Sequence, residues 1–167
     1  MQYCIANNNS TRPLRGPDAK GGSREVSDWN NKIIDEFHAK GGSNVGPFGD
    51  RLLLLTTRGA RTGRRHTTPL AFTRDGEHYV VAASMGGAPR HPAWYHNLVK
   101  NPMAEVEVGS DTFAVRATPL PSGPERDRLY EQHARVMPGF RGYQEKTTRI
   151  IPVVLLDRAE SKHQLAA

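Results

Sequence analysis

Between Asp50 and Asp75 the chain carries six arginines, Arg51, Arg58, Arg61, Arg64, Arg65 and Arg74, and no carboxylate. Guanidinium forks next to glycine-bearing turns hold phosphates and carboxylates through charge-assisted hydrogen bonds, which are shorter and stronger than neutral ones. Arg61, Thr62, Gly63, Arg64, Arg65 and His66 would offer an anion those forks, a hydroxyl and loop amides. A solvated charged turn would show the same arginines, so the loop alone leaves both readings open. A second group follows in Ala82, Ala83, Ser84, Met85, Gly86 and Gly87. Small residues at a strand end let a flat ring lie against backbone, although ordinary close packing also uses them. Trp94 and Tyr95 beyond them would either wall such a ring or serve as core aromatics.

Other chemistries lack their residues. GGSNVG at Gly41 to Gly46 does not have the spacing of a dinucleotide fingerprint, and GARTGRR lacks the ending of a P-loop. His91 and His96 are five residues apart and fall on different helical faces, so the histidines offer no metal-ligand spacing. Cys4 has no base beside it and Ser84 sits in no nucleophile elbow, which leaves covalent catalysis unsupported. A basic loop also suits nucleic acid or an anionic membrane. Only Phe72 lies near these arginines for stacking, and the first helix is acidic at Asp28, Asp35 and Glu36, so no nucleic-acid partner is expected.

A chain of 167 residues with net charge +6 is expected to form one core and to meet an acidic partner. The lone Cys4 excludes a disulfide framework. No apolar run has the length of a transmembrane helix, and the expected location is cytoplasmic, with peripheral membrane contact left open.

The elements that must position these residues follow from periodicity. Residues 1–24 read as a flexible extension, 25–160 as the folded domain and 161–167 as a tail. Ser27 offers an N-cap for a helix over Asp28 to Ala39, closed by Gly41 and Gly42 and packing over a sheet. Strands are expected at Leu52 to Thr57, Thr67 to Thr73, His78 to Ser84, Ala104 to Val108, Thr112 to Thr118 and Ile150 to Leu156, with turns at Asp75-Gly76 and at Gly109 to Asp111. Pro92 to Lys100 and Pro124 to Val136 read as helices, the latter with Ser122 and Glu125 as a capping box. The class is mainly β (α+β): a small antiparallel barrel of about six strands with an N-terminal helix and two or three interspersed helices.

Several motifs stand in order: LLLTTxGxRTGRRxxxPL from Leu53, VVAASxGGxxxxPxWYxNLxxNP from Val80, and PGFxxYQxKTxRxIPVV from Pro138. Over about Trp29 to Arg158 the chain resembles the deazaflavin-dependent nitroreductases of actinobacteria. The resemblance implies a split β-barrel binding coenzyme F420, an 8-hydroxy-5-deazaflavin with a phosphate and an acidic glutamyl tail that would explain the basic loop. It places Ala60, Arg61, Thr62, Gly63 and Arg64, with His66, Thr67, Thr68, Pro69 and Leu70, around the phosphate side and the ring. Ala82, Ala83, Ser84, Met85, Ala93, Trp94, Tyr95 and Asn97 would complete the pocket, with Phe140 and Tyr143 near ring and substrate. The implied reaction passes a hydride from the reduced ring to a quinone, an enone or a nitroaromatic, and Ser84 or Tyr143 would donate a hydrogen bond or a proton to the acceptor. Against the family's best-known nitroreductase, Ala71, Met85 and Phe140 stand in place of a tyrosine, a lysine and a tyrosine, and His66 replaces a more usual arginine. An FMN oxidoreductase of the same fold is the alternative, though one phosphate needs less positive charge than a phosphate with a glutamyl tail. A non-catalytic F420 carrier is the other.

Overall fold

A computed structural model of the chain describes residues 22–159, with side chains from Asp28 onward. The expected tail, Cys4 and most of the expected extension lie outside the described residues. The elements are α1 (Gly22–Ala39), β1 (Leu52–Arg58), β2 (Arg65–Ala71), β3 (Thr73–Asp75), β4 (His78–Ala82), α2 (Ala93–Lys100), β5 (Met103–Val108), β6 (Asp111–Leu120), α3 (Pro124–Val136), α4 (Gly139–Glu145) and β7 (Val153–Arg158), with 3-10 turns at Gly46–Phe48 and Met85–Gly87. Among the described residues no helix is long and apolar enough to cross a membrane.

All strands pair antiparallel in one sheet of order β2-β1-β5-β6-β7-β4-β3. The two edge strands, β2 and β3, are consecutive in the chain and separated only by Phe72. One residue cannot span an open sheet of this width, since a chain advances at most about 3.6 Å per residue. The sheet therefore curls until its edges meet at Phe72 and stay split elsewhere, which is the expected split barrel. Leu52, Leu53, Leu54 and Leu55 are wholly buried, so β1 faces apolar neighbours on both sides. That explains its unbroken apolar run where a half-exposed strand would alternate.

The expected strands are present, with boundaries moved for physical reasons. The Leu52 to Thr57 pairing runs on to Arg58↔Arg65, so β2 starts two residues before Thr67 and the basic loop shrinks to a tight turn. Phe72 donates its N–H to Arg51 O, the next step in the β1–β2 register, and Thr73 then pairs with Val80 of β4, which divides the second expected strand into β2 and β3 and gives seven strands where six were expected. β7 begins at Val153 and not Ile150, because Pro152 has no N–H to give and its carbonyl accepts from Ala83 N.

The helices also differ in detail. α1 begins at Gly22, which places Ser27 inside the helix and not at its N-cap. The N-cap of α3 is Gly123 at φ 107° with no side-chain cap, so Ser122 and Glu125 form no capping box. α4 is the third of the two or three interspersed helices expected, at a position the sequence does not mark. Its seven residues include Gly139 and Gly142, which weaken helical propensity, and tertiary packing supplies what propensity does not.

Candidate functional site

The basic turn between β1 and β2 is braced from two directions. Gly59 N donates to Arg64 O at 2.7 Å, and Gly63 N donates to Gly59 O at 2.9 Å. Arg64 N donates to Thr62 Oγ1 at 3.2 Å. From α2, Asn97 Oδ1 accepts the Ala60 N–H at 2.9 Å, and Lys100 Nζ donates to the Ala60 carbonyl at 2.6 Å. The amides of Gly59, Ala60, Gly63 and Arg64 are thus spent within the protein. The expectation that the amides of the Arg61 to His66 stretch cradle an anion is corrected at Gly63 and Arg64. Arg58, Arg61 and Arg64 make no side-chain hydrogen bond or ion pair among the described residues, whereas Arg65 pairs with Glu105 at 3.1 Å.

Beside this turn lies a cleft of about 850 Å³. Of the expected residues, Ala60, Arg61, Thr62, His66, Thr67, Thr68, Ala93, Trp94 and Asn97 line it. Gly63 lines an adjoining basin with Arg58, Arg61 and Lys100. Two polar atoms of the cleft-lining residues are buried without a hydrogen-bond partner among the described residues: the indole Nε1 of Trp94 and Oδ1 of Asn30. A buried donor and a buried acceptor left unmade each cost about 1–3 kcal/mol unless something else meets them. Asn97 belongs to a different class, because its Nδ2 donates to Thr57 Oγ1 at 3.0 Å while its Oδ1 holds Ala60. It orders the turn from the inside.

The other expected residues do not line this cleft. Pro69 and Leu70 sit in β2 opposite Leu54 and Leu53, within the sheet. Tyr95 is buried with its ring 4.9 Å from that of His91, and burial pushes its phenol pKa upward. Ala82, Ala83, Ser84 and Met85 form a buried layer at the end of β4, and α4 packs on the turn there. Ser84 is fully buried and its hydroxyl has no partner among the described residues. The chain then turns through three left-handed residues, Met85 at φ 48°, Gly86 at 65° and Gly87 at 84°. A Cβ on Gly87 would stand 2.7 Å from Tyr143 O, which is how closely α4 approaches. Tyr143 and Phe140 lie there, ring to ring at 5.2 Å, and Phe140 meets the His133 ring at 4.4 Å.

Sequence reasoning missed five residues. Asn30, Asn31 and Ile34 place one face of α1 on the cleft, so this helix does more than cover the sheet. Their signal was the i, i+4 spacing of Asn30 and Ile34, a polar residue on an otherwise apolar stripe. Lys100 and Arg149 act on main-chain carbonyls distant in sequence, and no local pattern announces such contacts.

Comparison with known proteins matches residues 28–158 to the family described as F420H(2)-dependent quinone reductase. An F420H(2)-dependent quinone reductase of Mycobacterium tuberculosis is 46% identical over 111 residues, spanning 64% of this chain and 72% of the relative. Among solved structures, an F420-H2 dependent reductase (FDR-A) shares 34% identity at a TM-score of 0.59, covering 64% of this chain and 94% of that one. A protein described as a domain-swapped dimer shares 31% identity at a TM-score of 0.61, over 78% of this chain and 98% of the other. The haem storage protein HutZ of Vibrio cholerae, 20% identical at a TM-score of 0.51 over 79% of this chain and 92% of that one, shares the fold.

Proposed function

This chain belongs to the F420H(2)-dependent quinone reductase family, whose cofactor is coenzyme F420, and from that premise we propose that it reduces quinones with F420H2 and also accepts activated enones and nitroaromatics. The observation that carries the reading is the cleft in which Arg61 and Thr62 stand beside Trp94 and Asn30, whose Nε1 and Oδ1 are buried without a hydrogen-bond partner among the described residues. A heteroaromatic plate bearing ring N–H and carbonyl groups has the complement of both atoms, and its anionic side chain has the complement of the unpaired arginines.

When bound, reduced F420 supplies the hydride. The chain supplies placement. Trp94 and Asn30 would orient the ring, and Arg61 with Thr62 would hold the phosphate. Arg58 and the basin reaching Lys100 would receive the glutamyl carboxylates. Ser84 and Tyr143, buried outside the cleft at the end of β4 and in α4, are proposed to serve an acceptor that reaches them there, by a hydrogen bond from the hydroxyl or by a proton. Holding two reactants at contact distance accounts for a large share of the acceleration such an enzyme needs.

The test is to titrate the purified protein with reduced F420 and, separately, with FMN, following ring absorbance, then to add menadione or a nitroimidazole. Binding of F420 and its reoxidation by menadione are expected, with slower turnover of the nitroimidazole. FMN binding without F420 binding would overturn the cofactor assignment. Ser84→Ala and Tyr143→Phe with unchanged turnover would remove these two residues from the reaction.

A further inference from the structure

The segment from Ala83 to His91, which links β4 to α2, is held by one side chain from a distant part of the sequence. Arg149 Nη2 donates to the carbonyls of Ser84 at 2.9 Å and Ala83 at 3.2 Å, and its Nε donates to Ala88 O at 2.9 Å. Its Nη1 donates to His91 Nδ1 at 3.0 Å. A guanidinium has no acceptor, so Nδ1 must accept and the ring proton of neutral His91 resides on Nε2.

The stem of Arg149 is fixed as well. Gln144 Nε2 donates to Arg149 O at 2.8 Å, while Gln144 Oε1 accepts from Ile151 N at 3.0 Å and from Arg126 Nη2 at 2.6 Å. Arg126, itself buried, donates from Nε to Ile151 O at 2.8 Å. The fork is therefore pre-aimed and loses little freedom in making its four contacts. What it holds is a turn with Met85 in the left-handed region, a conformation that persists only where its surroundings enforce it.

We propose that Arg149 is the positioning residue of this reductase: it ties the strained Ser84–Gly87 turn to the segment that leads into α2 and fixes His91 there as an Nε2–H donor. His91 connects to the cleft through His96, which lines it and whose ring is 5.8 Å from that of His91. The groups facing His91 are Arg149 from the segment before β7, and Tyr95 and His96 from α2. Protonating His91 removes the Nδ1 acceptor and sets imidazolium against guanidinium, so acid weakens the tie. Burial, then Arg149 and His96, hold His91 below the usual histidine range, which keeps the tie intact near neutral pH.

The catalytic half of this inference rests on the proposed function; the structural half does not. In the full-length protein without cofactor, labelled at histidine nitrogen, NMR should show His91 as the Nε2–H tautomer. Its titration should move upward in Arg149→Ala, and less in Arg149→Lys, which keeps the positive charge. Finding the Nδ1–H tautomer, or a titration indifferent to Arg149, overturns the inference whether or not F420 binds. With F420 and menadione, Arg149→Ala should lower kcat about tenfold or more while the F420 Kd changes less than about threefold. Arg149→Lys should recover part of that loss, and His91→Gln, which accepts without titrating, should flatten the acid limb of the rate profile. Loss of F420 affinity in step with kcat, or an unchanged acid limb in His91→Gln, would show a role in folding only.

Discussion

Asn97 on α2 and Ala60 in the basic turn are joined by a 2.9 Å hydrogen bond from the Ala60 N–H to Asn97 Oδ1, across a sequence separation of 37 residues. Lys100, one helical turn further on, takes the carbonyl of the same residue. A single helix face thus satisfies both main-chain groups of Ala60 and sets where Arg61 and Thr62 stand.

Replacing Asn97 by Ala should therefore act on the turn as well as on the fold. Thr57 and Ala60 lose partners in a buried site, at a cost of about 1–3 kcal/mol, readable by urea denaturation. The F420 Kd should rise about tenfold from a misplaced turn. An unchanged Kd would show that the turn keeps its shape unaided.

Trp94→Phe is expected to separate binding from stability. The indole N–H has no partner among the described residues, so its removal should leave stability within about 1 kcal/mol of the wild type. F420 affinity should fall about tenfold, the worth of one hydrogen bond near 1.4 kcal/mol. Equal losses in both would assign Trp94 to the core alone.

The unpaired arginines predict a salt effect. Arg58, Arg61 and Arg64 sit on an exposed turn where an anionic tail would be screened, so F420 affinity should fall as salt rises from 0.05 to about 0.5 M. Arg61→Ala should weaken binding and flatten that dependence. A deazaflavin lacking phosphate and glutamate should show almost none. Salt-independent binding of intact F420 would contradict the assignment of the basin.

His133 predicts an acid weakness in the fold. It is wholly buried, its Nδ1 lies 2.8 Å from Thr73 Oγ1, and burial pushes its pKa down to about 3. The unfolded chain takes up that proton near pH 6.5 and the folded chain does not, so the contribution is complete above 6.5 and declines toward 3. Between pH 7 and pH 5 the wild type should lose ~2 kcal/mol relative to His133→Gln. Parallel stability curves for the two proteins would show that His133 protonates in the folded state.

Much of this protein is written locally. The apolar run Leu52 to Leu55, the turns at Gly76 and Gly109, and the arginine-rich turn are properties of a few adjacent residues, so strand positions and the basic turn between two of them were legible from residue types. Family motifs in order named the cofactor as well. Tertiary structure alone decided which groups remain available. It consumed four loop amides within the turn or on α2, turned a face of α1 into the cleft wall, and set Arg149 on three carbonyls some sixty residues away. It also made a helix of Gly139–Glu145, whose glycines argue against one. These contacts join segments that meet only when the sheet curls and its edges close at Phe72. Hydrogen-bond satisfaction is a property of that closed arrangement, and no stretch of sequence contains it.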